Sequence, residues 1–543
     1  MILRRVLSLA TAALLGGALA AGPLTAPAHA RTRSCPTPAT ADRRLRGVWI
    51  ASVTNIDWPS APGLSVAQQQ AEYVRLLDNA VARHLNAVFV QVRPTADAFW
   101  PSPYEPWSQW LTGTQGKDPG YDPLAFLVRE AHARGLEFHA WLNPYRVSMK
   151  ADPSLLTPDH PARRHPDWVH PYGGKLYYDP GIPDVRHFVE RAMLDAVRRY
   201  DIDGVHFDDY FYPYPTGTAD FPDDATFATY GAGFADKASW RRHNIDLLVR
   251  EMDRRIHALK PWVKFGISPF GIWRNKASDP EGSDTNGLES YSAISADTRG
   301  WVKKRWIDYI APQIYWYIGF TVADYAKLVP WWARQVDGTG VQLYIGQADY
   351  RQGAAGQAAP WQDPAELSRH LTFNRDYPQV DGDIHFSAKD MDANRIGAVS
   401  RMVADHYARP ALVPLMPRLG GHAPHRPRPA VAGSAVSWRP VPGAARYAVY
   451  RFDGPPAGCD LASHLIAVTG GTSFADGTAE PGKSYVYAVT ALDRLWNESA
   501  AAEARPAHEG VADRRPATAQ AEVPDRDPGA VPGDTEARGG AAT

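Results

Sequence analysis

The stretch DVRHFVERAMLDAVRRYDIDGVHFDDYF, residues 184–211, holds the unit from which the fold is read. Residues 184–200 pattern as an amphipathic helix. After a polar turn comes a short apolar strand, GVHFDDYF from Gly204, that ends in two adjacent carboxylates. The same alternation extends in both directions along the chain. Strand-like segments are RGVWIASV from Arg46, AVFVQVRP from Ala87, EFHAWLNP from Glu137, KFGISPFG from Lys264, DYIAPQIYW from Asp308, VQLYIGQA from Val341 and DIHFSAKD from Asp383. Helical patterns between them include residues 71–85, 123–135, 244–260 and 393–407. Gly135 and Pro261 act as stops. Apolar strands each followed by a helix imply a parallel sheet, and eight units predict an α/β fold of (β/α)8 TIM-barrel type. An open doubly wound sheet would bring a glycine-rich phosphate turn after the first strand, and none follows it.

The expected organisation is a signal peptide at 1–30, the barrel at 43–414, a Pro/Gly/Arg-rich linker at 415–428, a small all-β immunoglobulin-like sandwich at 429–505 and a disordered tail at 506–543. Arg4 and Arg5, the apolar run that follows and the Ala28-His29-Ala30 site give the three-part layout of an export signal, by the Sec or the twin-arginine route. The expected location is therefore extracytoplasmic, with no membrane-spanning segment after cleavage. Cys35 and Cys459 are too few for a disulfide framework; pairing and two free thiols both stay open. Cys35 lacks the aliphatic residue that precedes a lipid-modified cysteine.

A formal charge of −1 and the lack of a basic stripe argue against a nucleic-acid partner. Eighteen tryptophans and 25 tyrosines suit a polysaccharide, whose C–H faces stack on aromatic rings.

In such a barrel the chemistry lies at the C-terminal strand ends. The polar residues there are mostly spaced by two, on one strand face. They give the candidate substrate contacts Arg93, His139, Trp141, Asn143, Tyr145, Arg146, His206, Tyr210, Gln313, Tyr315 and Trp316. Asp208 points into the mouth and Asp209 lies at the rim, and Asp208 is the candidate nucleophile or base. The bland alternative pairs Asp208 with Arg93 or Arg146. Glycoside hydrolysis needs a second carboxyl, and Glu105, Asp97, Asp57, Asp209 and Asp349 are all open candidates. Tyr104, Pro106 and Trp107 around Glu105 offer the desolvation a general acid needs. No cofactor is expected. A metal site at Asp208, Asp209 and His206 lacks the accompanying histidine motif, and no G-x-S-x-G turn occurs.

The motifs RGVWIASVTNIDWPS, FVQVRPTADAFWPSPYEPWSQWLTGTQG, GLEFHAWLNPYRV and DGVHFDDYFYPYP resemble the glycosyl-hydrolase-like family 10 proteins, a bacterial barrel family formerly of unknown function. The resemblance spans about 43–410. It implies a carbohydrate-active barrel in the envelope or outside the cell, acting on peptidoglycan glycan stripped of its peptides. VSWRPVPGAARYAVYRF and AVTALDRLWNES are similar to a fibronectin type III domain, read as a spacer or wall-contact module. Two other classes compete with a glycoside hydrolase: a non-catalytic glycan-binding protein and a metal-dependent polysaccharide deacetylase.

Overall fold

The computed structural model describes residues 42–454 and 461–506. The export signal, both cysteines and all but the first residue of the tail lie outside the described residues. Eight parallel strands close into a barrel in sequential order: β1 (Leu45–Ile50), β2 (Ala87–Arg93), β3 (Glu137–Leu142), β4 (Gly204–Phe207), β5 (Lys264–Ile267), β6 (Tyr309–Ile310), β7 (Gln342–Gln347) and β8 (Val380–His385). β8 pairs back onto β1 with Val48 opposite His385, which leaves no edge. Several strands end earlier than their apolar patterns suggest. β4 stops at Phe207, because Asp208 to Phe211 turn away to build the mouth.

Outward-facing Val88, Val90, Phe138, Val205, Phe207 and Phe265 pack beneath the helices. The helices begin where sequence chemistry starts them. Ser65 and Gln68 form a capping box ahead of Val66–Ala82, and Asp122 caps Pro123–Ala133 with proline in the first turn. A three-stranded sheet of Arg146–Ser148, Val169–Tyr172 and Lys175–Tyr178, which the sequence pattern did not reveal, lies in the long connection after β3.

The interior is filled by large rings opposite glycines. A methyl group on Gly204 would sit 2.2 Å from the His139 ring, and one on Gly266 would sit 2.2 Å from the Tyr309 ring. Only glycine lets these side chains cross the barrel. At the strand starts a polar side chain near the head of each even strand accepts a backbone N–H from the preceding odd strand. Asn86 binds the N–H of Arg46 at 2.8 Å, Asp203 that of Phe138 at 2.8 Å, Asp308 that of Phe265 at 2.7 Å and Asp381 that of Leu343 at 3.2 Å. In all four cases the donor is the second residue of its strand.

The C-terminal region forms two four-stranded sheets. One runs in the order Ser473–Ala475, Ala435–Ser437, Ala430–Ala432, Arg505–Pro506; the other in the order Leu465–Thr469, Arg446–Phe452, Val486–Leu492, Ala502–Glu503. Val436, Trp438, Tyr447, Val449, Tyr487 and Val489 fill the space between them. The opposite face, with Ala448, Tyr450, Leu492 and Trp496, joins the same apolar cluster as the barrel interior residues Leu45, Phe89, Tyr309 and Tyr344. Arg446 pairs with Asp203 at 3.0 Å, both buried. The sandwich therefore plugs the N-terminal end of the barrel, and the C-terminal end stays open.

Candidate active site

A cavity of about 350 Å3 opens at the C-terminal strand ends. Asp208, Asp209 and Tyr210 line it beside Trp49, Gln91, Trp141, Arg146, Ser268 and Gln313, with Tyr315, Tyr350 and Phe386 among its aromatic lining.

Asp208 is held by three N–H donors. Trp141 Nε1 and Asn143 Nδ2 reach Oδ2 at 3.0 and 2.6 Å, and the backbone N–H of Tyr210 reaches Oδ1 at 2.9 Å. The amide of Asn143 is fixed in turn, because Gln91 Nε2 and Arg146 donate to its oxygen at 2.7 and 3.1 Å. Gln91 is fixed by the backbone N–H groups of Ser52 and Val53. Every orientation follows from an obligate donor. The set needs Asp208 as an acceptor, so it selects the carboxylate. Burial raises the pKa of Asp208, while the Arg146 guanidinium and the three donors oppose the rise.

Asp209 is different. Tyr214 donates its hydroxyl to Oδ2, and Gln313 Nε2 reaches Oδ1 at 3.2 Å while also donating to the Ser268 carbonyl at 2.9 Å. Burial, together with the adjacent charge of Asp208, pushes Asp209 up to about 6. The two neighbouring carboxyls thus differ in their donors and in their hold on a proton, Asp209 keeping one up to about pH 6.

Beneath the cavity a hydrogen-bonded chain runs down the barrel axis. Trp49 Nε1 donates to His206 Nε2 at 3.0 Å, and an indole only donates. Burial depresses the pKa of both His206 and His139, so each ring carries one proton. His206 Nδ1 therefore donates to Tyr309 at 3.1 Å, Tyr309 donates to His139 Nδ1 at 3.0 Å, and His139 Nε2 donates to Glu137 at 3.1 Å. Glu137 also accepts from Lys264 Nζ at 2.6 Å and from Trp496 Nε1 at 2.7 Å.

The structure brings Asp208, Asp209, Trp141, Arg146, Tyr210, Gln313 and Tyr315 to the cavity, with Asn143 directly behind Asp208. It places the other sequence candidates elsewhere. Glu105 is in a buried ion pair with Arg93, whose Nε donates at 2.7 Å, so neither faces the cavity. Asp97 is buried beside Thr95 and Ser108, and its desolvation pushes it up to about 6. His139 and His206 belong to the axial chain rather than to a sugar-contacting surface. Tyr145 is fully buried in the outer core, because the strand ends at Leu142 and the two-residue alternation ends with it. Trp316 stacks edge-on against Phe270, outside the cavity lining. Asp57 accepts from Ser387 at 2.7 Å and from the Ala51 and Lys389 N–H groups, and Asp349 pairs with His385 at 3.0 Å.

Sequence reasoning missed Tyr214, Ser268, Trp49 and Phe386 as site residues, while Tyr350, at the end of the seventh strand segment, was among the strand-end residues it picked out. Trp49 and Ser268 share the inward parity of Gly47 and Gly266, a signal available in the sequence. Tyr214 lies in a loop and offers none. Among the described residues, the carboxylate and imidazole groups close enough to share an ion are those of Asp253, His257 and Asp308. Burial works against a charge on His257, yet Asp253 and Asp308 carry it up to about 9, and Arg418 also reaches Asp308 at 3.3 Å. The imidazolium already fills that space.

The chain is 50% identical over 479 residues to the glycosyl hydrolase YngK of Bacillus subtilis (strain 168), covering 86% of this chain and 94% of that one. It is 41% identical over 362 residues to the glycosyl hydrolase DigH of Escherichia coli (strain K12), covering 63% of this chain and 82% of that one. Among solved structures, the glycoside hydrolase domain of PgaB (BpsB) from Bordetella bronchiseptica matches with 16% identity and a TM-score of 0.43, over 67% of this chain and 98% of that one. The profile of the family described as Glycosyl hydrolase-like 10 matches residues 44–363, and the chain belongs to that family.

Proposed function

We propose that the protein is an exported glycoside hydrolase that cleaves peptidoglycan glycan strands, with Asp209 as proton donor and Asp208 as its anionic partner. The observation that carries this reading is the division of labour between the two carboxyls. Asp209 holds its proton up to about pH 6, and the Trp141, Asn143 and Tyr210 donors favour Asp208 as the carboxylate. Trp49, Trp141, Tyr315, Tyr350 and Phe386 supply apolar ring surface for sugar C–H faces, and Gln91, Gln313 and Arg146 supply polar contacts. The leader-like sequence at 1–30 supports export, and no helix among the described residues is long and apolar enough to cross a membrane. The choice of wall glycan comes from the family likeness.

A deacetylase would need imidazole or thiolate ligands at the cavity, and none of the described lining residues is a histidine or cysteine. Mass spectrometry of soluble products from peptide-free peptidoglycan glycan tests the reading. Wild type should release saccharide fragments, while Asp208→Asn and Asp209→Asn should not. Bound glycan with no fragments from any variant would instead identify a binding protein.

A further inference from the structure

Two-carboxyl glycosidases place one group on each side of the scissile bond, about 5 Å apart for direct nucleophilic attack and about 6.5 to 9.5 Å apart when a water intervenes. This cavity departs from that plan. Among the described residues, its only carboxylates are Asp208 and Asp209, consecutive residues that leave one strand end together. In an eight-stranded barrel of sequential order, β8 lies across from β4. The lining on that side includes Phe386 after β8, Tyr350 after β7, Trp49 on β1 and Ala51, Val53, Thr54 and Ile56 after it. No carboxyl faces Asp208 and Asp209 from that side among the described lining residues.

The other acidic candidates lie outside the cavity lining. Glu105 is paired with Arg93, Asp349 with His385, and Asp57 with Ser387 and two backbone N–H groups. Asp97 is fully buried away from the cavity. With both cavity carboxyls on one strand end and none opposite, the substrate itself can supply the attacking atom.

We propose that hydrolysis is assisted by the substrate's own 2-acetamido group, so that the protein cleaves only bonds at the anomeric carbon of an N-acetylated amino sugar. This rests on the glycosidase reading above. Asp208 suits the task, because the donors that fix it occupy Oδ2 twice and Oδ1 once, leaving acceptor capacity on Oδ1 for an amide N–H. In the first step the acetamido oxygen bonds to C1 while the bond from C1 to the leaving oxygen breaks. The Asp209 proton passes to that oxygen, and the amide proton passes to Asp208, giving a neutral oxazoline. Water then adds to C1, its proton returns to Asp209, the bond from C1 to the oxazoline oxygen breaks and the nitrogen recovers its proton from Asp208. The net change is addition of water across the glycosidic bond with retention of configuration.

The test compares three glycans on mature wild-type protein: the natural peptide-free strand, the same strand chemically de-N-acetylated, and that strand re-N-acetylated with acetyl or trifluoroacetyl groups. We expect kcat to fall on the order of 100-fold or more without the acyl group, since an intramolecular nucleophile is lost. Acetyl should restore it, and trifluoroacetyl, whose carbonyl oxygen is a weaker nucleophile, should restore it only in part. A 2-methylthiazoline derived from N-acetylglucosamine should inhibit competitively. Equal kcat for the de-N-acetylated strand, or a glycosyl adduct on Asp208 in acid-quenched samples, would overturn the proposal while leaving the glycosidase reading intact. Cleavage of none of the strands would overturn both.

Discussion

Trp496 of the C-terminal sandwich donates its indole N–H to Glu137 at the foot of the barrel, 2.7 Å away. The ring is fully buried and lies in the apolar cluster that fills the barrel interior. Trp496→Ala should cost about 3–5 kcal/mol, the usual range for emptying a large aromatic site. Because the cluster is shared, barrel and sandwich should unfold together. Urea titration followed by both tryptophan fluorescence and far-ultraviolet circular dichroism checks this, and two separated transitions would contradict it.

Asp208→Asn and Asp209→Asn should each lower kcat roughly 100- to 10,000-fold, the span typical of a positioned acid or base. Thermal stability of Asp209→Asn should not fall with activity, because burial disfavours its charge. Asp208→Asn turns an amide N–H2 towards one of the N–H donors that hold Asp208 and should melt somewhat lower. Steady-state kinetics beside melting curves separates a chemical role from a structural one.

The alkaline limb of the pH–rate profile should report Asp209. As the donor it must be protonated, so activity should fall as pH rises through about 6. The hydrogen bond from Tyr214 favours the ionised form, and Tyr214→Phe should move that limb to higher pH. An unchanged limb in this variant would assign it to another group.

Glu105→Gln should leave the Arg93 guanidinium buried without its counter-charge and destabilise the protein by about 3 kcal/mol or more. Whatever folded protein remains should keep kcat within a few-fold of wild type. A loss of kcat comparable with that of Asp209→Asn would return Glu105 to the chemistry.

Asp97 bears on stability rather than turnover. Its folded pKa of about 6 lies above the usual 3.8, so its contribution is fully present below pH 3.8 and is lost as pH rises through about 6. A shift of that size corresponds to at most about 3 kcal/mol. Asp97→Asn should therefore melt higher than wild type at pH 8, with the gap closing towards pH 4.

The barrel was legible because its signal is repeated eight times, and each strand's apolar run is long enough to stand out from its helix. Asp208 was legible from strand parity alone. Depth along the barrel axis was not. His139 and His206 share the inward face with Trp141 and Asp208, but side-chain alternation carries no information about whether a residue sits in the interior or at the mouth. Glu105 misled because its aromatic neighbours do bury it, while the Arg93 that neutralises it lies 12 residues earlier in the sequence. Tyr145 misled because parity holds only while the strand continues. Tyr214 reaches Asp209 from a loop, where no periodicity applies.

The side chains Asn86, Asp203, Asp308 and Asp381 each tie an even strand to the odd strand before it, and no equivalent tie joins β2 to β3, β4 to β5 or β6 to β7 among these four bonds. The barrel is thus four clasped pairs with seams between them. New chain termini opened at a seam would keep both halves of every clasp on neighbouring segments. Termini opened inside a pair would send donor and acceptor to opposite ends of the polypeptide, so a permuted chain should tolerate the seams and resist the clasps.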